Sequence, residues 1–160
     1  MLTRLRDDTG ETVILGTMEG DAVVYLEIIE GLHTIRYSAK PGEIKPLHSS
    51  AIGKAMLASL DEAGLAKTLS RIALEQITGV TLTDENSLRR DLEDGRKCRV
   101  FVTRGENVAD VMGMASPTTP GGQPLAVALA GPIGRMDESF DTHAERLLLA
   151  ARELSGLGVN

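Results

Sequence analysis

The run Ser49-Ser50-Ala51-Ile52-Gly53 lies where a loop shaped by Pro41-Gly42 and Pro46 gives way to a helical pattern. A helix start presents backbone N–H groups with no intrahelical acceptor, together with the positive end of the helix dipole. Small residues beside it permit close approach, so a carboxylate can dock there. The plainer alternative is that Ser49 or Ser50 caps the helix and leaves nothing free for a ligand. Arg104 is a second candidate, since a guanidinium near a pocket mouth holds a carboxylate by two parallel bonds; otherwise it is a solvated loop arginine. Asp110 either accepts a hydrogen bond from a ligand hydroxyl or amine, or sits in water at a strand edge. Lys54 is expected to be exposed on its helix with its stem over apolar neighbours, and His48 to fix the loop by bonding to backbone. Met112 and Met114 share one strand face, where an ordinary core would use both as gap fillers.

Chemistry of other kinds finds little support. His33, His48 and His143 fall on a predicted strand, a loop and a late helix, with no spacing for a metal pair and no Ser-His-carboxylate motif. No catalytic activity, cofactor or metal is expected. Cys98 is the single cysteine, so no disulfide closes within the chain, and with no second cysteine and no placed base it is expected to be a bystander.

Composition bounds the partners. The chain of 160 residues carries 17 Lys+Arg against 23 Asp+Glu, a net charge of −6 that repels phosphate backbones over most of the surface. Four aromatic residues, Tyr25, Tyr37, Phe101 and Phe140, leave almost nothing for base stacking, so direct nucleic-acid binding is not expected of these residues. No run reaches the roughly 18 apolar residues of a membrane span, and the segment MLTRLRDDTGET lacks an apolar stretch long enough for a signal peptide. A soluble protein of the reducing cytoplasm is the expectation.

The elements that must position these residues are legible in outline. Leu2 and Leu5 among charged neighbours predict the tail of a helix stopped near Gly10, so a start inside an element is expected. TVILGTM, AVVYLEII and HTIRYSA, residues 12 to 39, predict three consecutive strands in an antiparallel meander, with breaks at Glu19-Gly20-Asp21 and Glu30-Gly31. Ile52, Met56 and Leu57 mark the inward face of the helix after the serines. Asp61 is suited to cap the next helix, with Leu60 and Leu65 as a hydrophobic staple. A third helix starts near Thr83, with Asp84 and Glu85 at its positive end and Arg96 and Lys97 at the other. Arg99 to Thr103 predicts a strand, VMGMASPTT and PLAVALA a hairpin around Pro120-Gly121-Gly122, and Asp137 onward a helix stopped at Gly156. Strands in a run, helices in a run, then strands and a final helix make one α+β domain with an antiparallel sheet of about six strands flanked by helices.

Three segments carry a resemblance. Leu47-His48, Ala51, Gly53-Lys54-Ala55 and Leu57-Ala58 form the first, Ala130-Gly131-Pro132-Ile133-Gly134-Arg135 the second, and Gly10-Glu11-Thr12 the third. Each is short, but in this order and spacing they resemble the C-terminal effector-binding domain of the IclR family of bacterial transcriptional regulators, across the whole of residues 1–160. The resemblance implies a GAF-like fold with a small-molecule pocket on one sheet face. It also implies an N-terminal winged helix-turn-helix, absent from this chain, through which alone the protein would touch DNA. Carried over by position, the effector-binding residues are Leu47, Ser50, Ala51, Ile52, Met56, Thr103, Asp110, Met112, Ala128 and Ala130.

The chain departs from the family pattern where many members have an acidic pair near Thr103-Arg104, a glycine near Asp110, a cysteine near Gly113, and serines at Ala128 and Ala130. Alanines and methionines in place of hydroxyls favour a larger or more hydrophobic organic acid over a tiny polar one. The expected function is therefore ligand sensing and self-association, as dimer or tetramer, with effector binding biasing the subunit arrangement and so the DNA-binding domains. The alternatives are an assembly module with no effector, and a GAF-like enzyme.

Overall fold

The computed structural model describes residues 1–157. Helix α1 (Leu2–Thr9) buries Leu2 and Leu5 and stops at Gly10, whose φ of 76° is the left-handed conformation a glycine takes without strain. Strands β1 (Thr12–Glu19) and β2 (Ala22–Ile29) follow as a hairpin, and β3 (Ile44–Pro46) adds a short edge strand to β2. Helices α2 (Ala51–Ala58), α3 (Glu62–Arg71) and α4 (Glu85–Cys98) come next. Then β4 (Phe101–Arg104), β5 (Val111–Thr118) and β6 (Leu125–Pro132) precede α5 (Ile133–Glu138) and α6 (Phe140–Ser155). The six strands form one sheet in the order β3-β2-β1-β6-β5-β4, every pair antiparallel. The domain is α+β, as the order of elements predicts.

The caps foreseen in the sequence are in place. Ser50, Asp61 and Asp84 each accept a hydrogen bond from the backbone N–H three residues on, at 3.1, 2.7 and 2.9 Å, which holds the first turns of α2, α3 and α4. Gly53 lets α2 pack close, because a Cβ there would overlap the carbonyl of Leu47.

One predicted strand does not form. Residues His33 to Ala39 run as an irregular segment, and the partner of β2 is the later Ile44–Pro46. The backbone of the segment is claimed by side chains from afar. Thr12 Oγ1 donates to the Tyr37 carbonyl at 2.6 Å and Arg135 Nη2 to the Ile35 carbonyl at 3.0 Å, while the free edge of β2 at Tyr25 is taken by Gly42 and Glu43. Those bonds replace the ladder that the alternating pattern would otherwise make.

The sheet has two unlike faces. Toward α2, α3 and α4 it presents Ile14, Gly16, Gly113, Ala115, Ala126, Ala128 and Ala130; toward α1 and α6 it presents Val13, Met112, Met114, Val127 and Leu129. Strand alternation therefore sorts small residues to one side and bulky ones to the other.

Candidate functional site

Where α2 meets the small-residue face, its N-terminus and the sheet do not close completely. The hollow between them encloses about 430 Å³ with its open mouth counted. Its floor is Ile14, Gly113, Ala128 and Ala130; its sides are Ser49, Ser50, Ala51 and Ile52 from the start of α2, Thr103 from β4, and Asn107, Val108 and Val111 around the β4–β5 loop. Tyr25 and Tyr37 complete the wall. A Cβ on Gly113 would stand 3.1 Å from that of Ala51 and 3.0 Å from Thr103 Oγ1, so a side chain there would crowd the hollow.

No lining side chain carries a charge at neutral pH. Burial, reinforced by the adjacent Tyr37, pushes the Tyr25 phenol well above the usual range, so it stays a neutral donor and acceptor. The Ser50 hydroxyl is engaged by the protein, accepting from Gly53 N and donating to the Pro46 carbonyl at 2.8 Å. The capping alternative thus holds for Ser50 itself. The N–H groups of Ala51 and Ile52, in the first turn of α2, have no acceptor within the helix and line the hollow with their residues. Ser49 Oγ donates to Asn107 Oδ1 at 3.2 Å, turning the Asn107 amide nitrogen to other partners.

Of the ten residues singled out in the sequence, Ser50, Ala51, Ile52, Thr103, Ala128 and Ala130 line this hollow and four do not. Leu47 and Met56 are buried in the core behind α2. Met112 is fully buried on the opposite face of β5, against Met136 and α6; the lining residues are its neighbours Val111 and Gly113. A one-residue difference in facing moves a strand side chain across the sheet. Asp110 lies in an outer hollow of about 910 Å³, beside Ile35, Arg36 and Lys45, that shares Tyr37, Val108 and Val111 with the inner one. Its φ of 65° is a left-handed conformation that glycine takes freely and that aspartate tolerates better than most residues.

Other expectations divide similarly. His48 Nε2 bonds the Glu75 carbonyl at 2.9 Å and so fixes its loop. Arg104 turns away from the hollow to pair with Asp137 at 3.2 Å and to cover the Phe140 ring at 5.3 Å. Lys54 is not on the surface: it is 1% exposed, and its ammonium meets both oxygens of Glu106 at 2.9 Å, Asp91 of α4 at 2.5 Å and the Val102 carbonyl at 3.1 Å. Burial pushes the Glu106 carboxyl up, against the pull of Lys54. Sequence reasoning passed over Tyr25, Tyr37, Asn107, Val108, Val111 and Gly113. The small-large alternation of Val111-Met112-Gly113-Met114-Ala115 was the available signal for the last two; Tyr25 comes from β2, and Tyr37, Asn107 and Val108 arrive from irregular segments whose paths no local pattern reports.

Comparison with known proteins defines the class. The family described as bacterial transcriptional regulator IclR C-terminal matches residues 1–156, and the chain belongs to it. Among its relatives, the HTH-type transcriptional regulator BhcR of Paracoccus denitrificans is 36% identical over 97% of this chain and 57% of its own length. The HTH-type transcriptional repressor AllR of Escherichia coli is 32% identical over 96% of this chain and 58% of its own. These relatives are transcriptional regulators and not enzymes, and the chain spans less than two thirds of either. The crystal structure of Thermotoga maritima IclR superposes with a TM-score of 0.82 at 30% identity, over 96% of this chain and 65% of that one. The C-terminal domain of the E. coli transcriptional regulator KdgR does so with 0.86 at 25% identity, over 98% and 93%. Among the described residues no helix is long and apolar enough to cross a membrane.

Proposed function

We propose that residues 1–160 form the effector-sensing and self-associating domain of a transcriptional regulator. A small organic acid enters the hollow, its carboxylate docks on the N–H groups of Ala51 and Ile52, and its remainder lies over Ala128 and Ala130 beside the tyrosines. A winged helix-turn-helix N-terminal to the domain makes the DNA contact in the cytoplasm, and effector binding shifts the arrangement of a dimer or tetramer. The observation that carries this reading is the charge-free hollow over the glycine-alanine face, with a helix N-terminus directed at it. The helix-turn-helix in the names of the two relatives, and their greater length, support the missing half. The volume of the inner hollow favours a compact acid over the larger one that the loss of serines suggested; only a longer ligand reaches Asp110.

Thermal unfolding in the presence of carboxylic acids of about two to six carbons tests the proposal. An acid at about 100 times its dissociation constant adds about 2.7 kcal/mol to the folded state, which raises Tm by roughly 5–11 °C for a chain of this size. Ala130→Leu fills the hollow and should abolish that rise with the fold intact. No rise with any acid, or a rise that survives in Ala130→Leu, overturns the assignment.

A further inference from the structure

Lys54 stands on α2 one turn beyond the residues that line the hollow, yet lines nothing itself. Its ammonium is buried and bonded to Glu106, Asp91 and the Val102 carbonyl. Taking an ammonium out of water is costly, and a lysine with a surface role would extend into solvent instead. What the burial accomplishes is a tether. Glu106 lies in the loop between β4 and β5, next to Asn107 and Val108, which form one wall of the hollow. Other side chains that hold the loop are Thr81, whose Oγ1 donates to the Glu106 carbonyl at 2.7 Å, Thr78, whose Oγ1 donates to the Gly105 carbonyl at 2.5 Å, and Ser49, whose Oγ donates to Asn107. Thr78 and Thr81 themselves lie in an irregular stretch between α3 and α4, and the backbone ties of residues 105–108, Gly105 N–H to the Val111 carbonyl at 2.8 Å and Val111 N–H to the Val108 carbonyl at 3.2 Å, reach only the adjoining start of β5; among the described residues Lys54 supplies the loop's side-chain bond from a helix packed on the sheet.

We propose that Lys54 is a positioning residue for the effector pocket: through Glu106 it holds the Asn107–Val108 wall at a fixed distance from the start of α2, so that the pocket is preformed before a ligand arrives. Preformation matters because a wall ordered only on binding takes its ordering cost from the affinity. The charged groups facing Glu106 are Lys54 from α2 and Asp91 from α4. Asp91 belongs to α4, so its pairing with Lys54 does not hold the loop as Glu106 does. The idea rests on the effector reading for its consequence, but the tether itself is measurable without a ligand.

The test uses the 160-residue chain and three variants: Lys54→Met, Glu106→Gln and the double variant Lys54→Met/Glu106→Gln. Lys54→Met leaves a buried carboxylate without its partner and lowers global stability for that reason alone. The double variant removes both charges and regains most of the lost melting temperature, because two neutral groups replace the pair. Hydrogen exchange at residues 105–110 is the deciding measurement, with acrylamide quenching of tyrosine emission beside it, since the two tyrosines of the chain both line the hollow and it has no tryptophan. In the double variant the loop amides should exchange at least about tenfold faster than in the natural chain, and tyrosine quenching should rise, while α2 and the sheet keep their protection. A structural role alone predicts loop protection that returns with the melting temperature, and that result overturns the proposal. Should the double variant not fold, Glu106→Gln decides by the same readout, since the neutral amide keeps the shape and loses the charge. Binding of the carboxylates that stabilise the natural chain should weaken in proportion to the fall in the closed-loop fraction. If no carboxylate stabilises the natural chain, the effector reading fails while loop exchange still judges the tether.

Discussion

Replacing Met112 by alanine separates the two faces of β5 by experiment. The side chain is fully buried among Met114, Met136 and the residues of α6, with no path to the hollow on the other side. The change deletes three non-hydrogen atoms, worth about 2.4 kcal/mol at about 0.8 kcal/mol for each methylene-sized group. A cavity term is added because close-packed neighbours collapse only in part, which brings the cost to roughly 3 kcal/mol, within the usual range of about 2–5 for such truncations. For a domain of this size that lowers Tm by about 6–12 °C. The mirror change, Ala130→Leu, adds three carbons to the opposite face. In a packed core this costs about 1–3 kcal/mol; here the added carbons enter the hollow, so the net change should stay within about 1 kcal/mol. Urea unfolding followed by circular dichroism gives both numbers, and tyrosine emission reports the pocket. Met112→Ala should lower stability and leave the emission unchanged; Ala130→Leu should do the reverse. If Met112→Ala costs less than about 1 kcal/mol and alters the emission, the sorting of residues between the two faces is wrong.

Three further outcomes are expected. Ser50→Ala removes the cap of α2 and its bond to the Pro46 carbonyl, and chemical denaturation should show a loss of about 1–2 kcal/mol; a loss below about 0.3 would mean the cap bears no strain in the fold. Gly53→Ala forces the Leu47 backbone and α2 apart and should destabilise more than Ser50→Ala does, in contrast to the usual gain for alanine over glycine inside a helix. His143 is buried beside Glu11 and Arg135 with Nδ1 unpartnered, and burial holds its pKa below the ordinary value of about 6.5. The unfolded chain then binds the proton more readily than the folded one. The contribution of His143 is therefore present above about pH 6.5 and is lost as pH falls toward the depressed folded value. His143→Leu should flatten the stability-pH curve in that window, and an unaltered slope refutes the assignment.

Much of the scaffold is local and was legible as such. The caps at Ser50, Asp61 and Asp84 and the stop at Gly10 are set within four residues of chain, where short-range bonds decide between helix and loop. The β5–β6 hairpin follows from two alternating runs around Pro120-Gly121-Gly122. Even the cause of the hollow is written in the sequence, as glycine and alanine alternating with methionine, valine and leucine along those two strands. Which of the alternating sets faces α2 is another matter: a strand pattern states that two faces differ, and only the pairing of β5 with β6 and the side on which α2 packs assign them.

The remaining features depend on partners remote in sequence. Residues 33–39 have the pattern of a strand and lose it to Thr12 and Arg135, which bond their carbonyls from 25 and 100 residues away. Lys54 reads as a surface lysine on its own helix and becomes a buried one because Glu106, 52 residues on, and Asp91 of α4 converge on it. By itself, the amino-acid order determined helices α1 to α4, the caps that start α2, α3 and α4, strands β1, β2, β4, β5 and β6, and the presence of one small-residue face, since each of these is settled by neighbours along the chain; the division of the last helical stretch into α5 and α6 and the edge strand β3 were not legible in it. Only the tertiary structure decided which side chains close the pocket and which charges are buried beneath its wall, because desolvation and ion pairing depend on what lies across space.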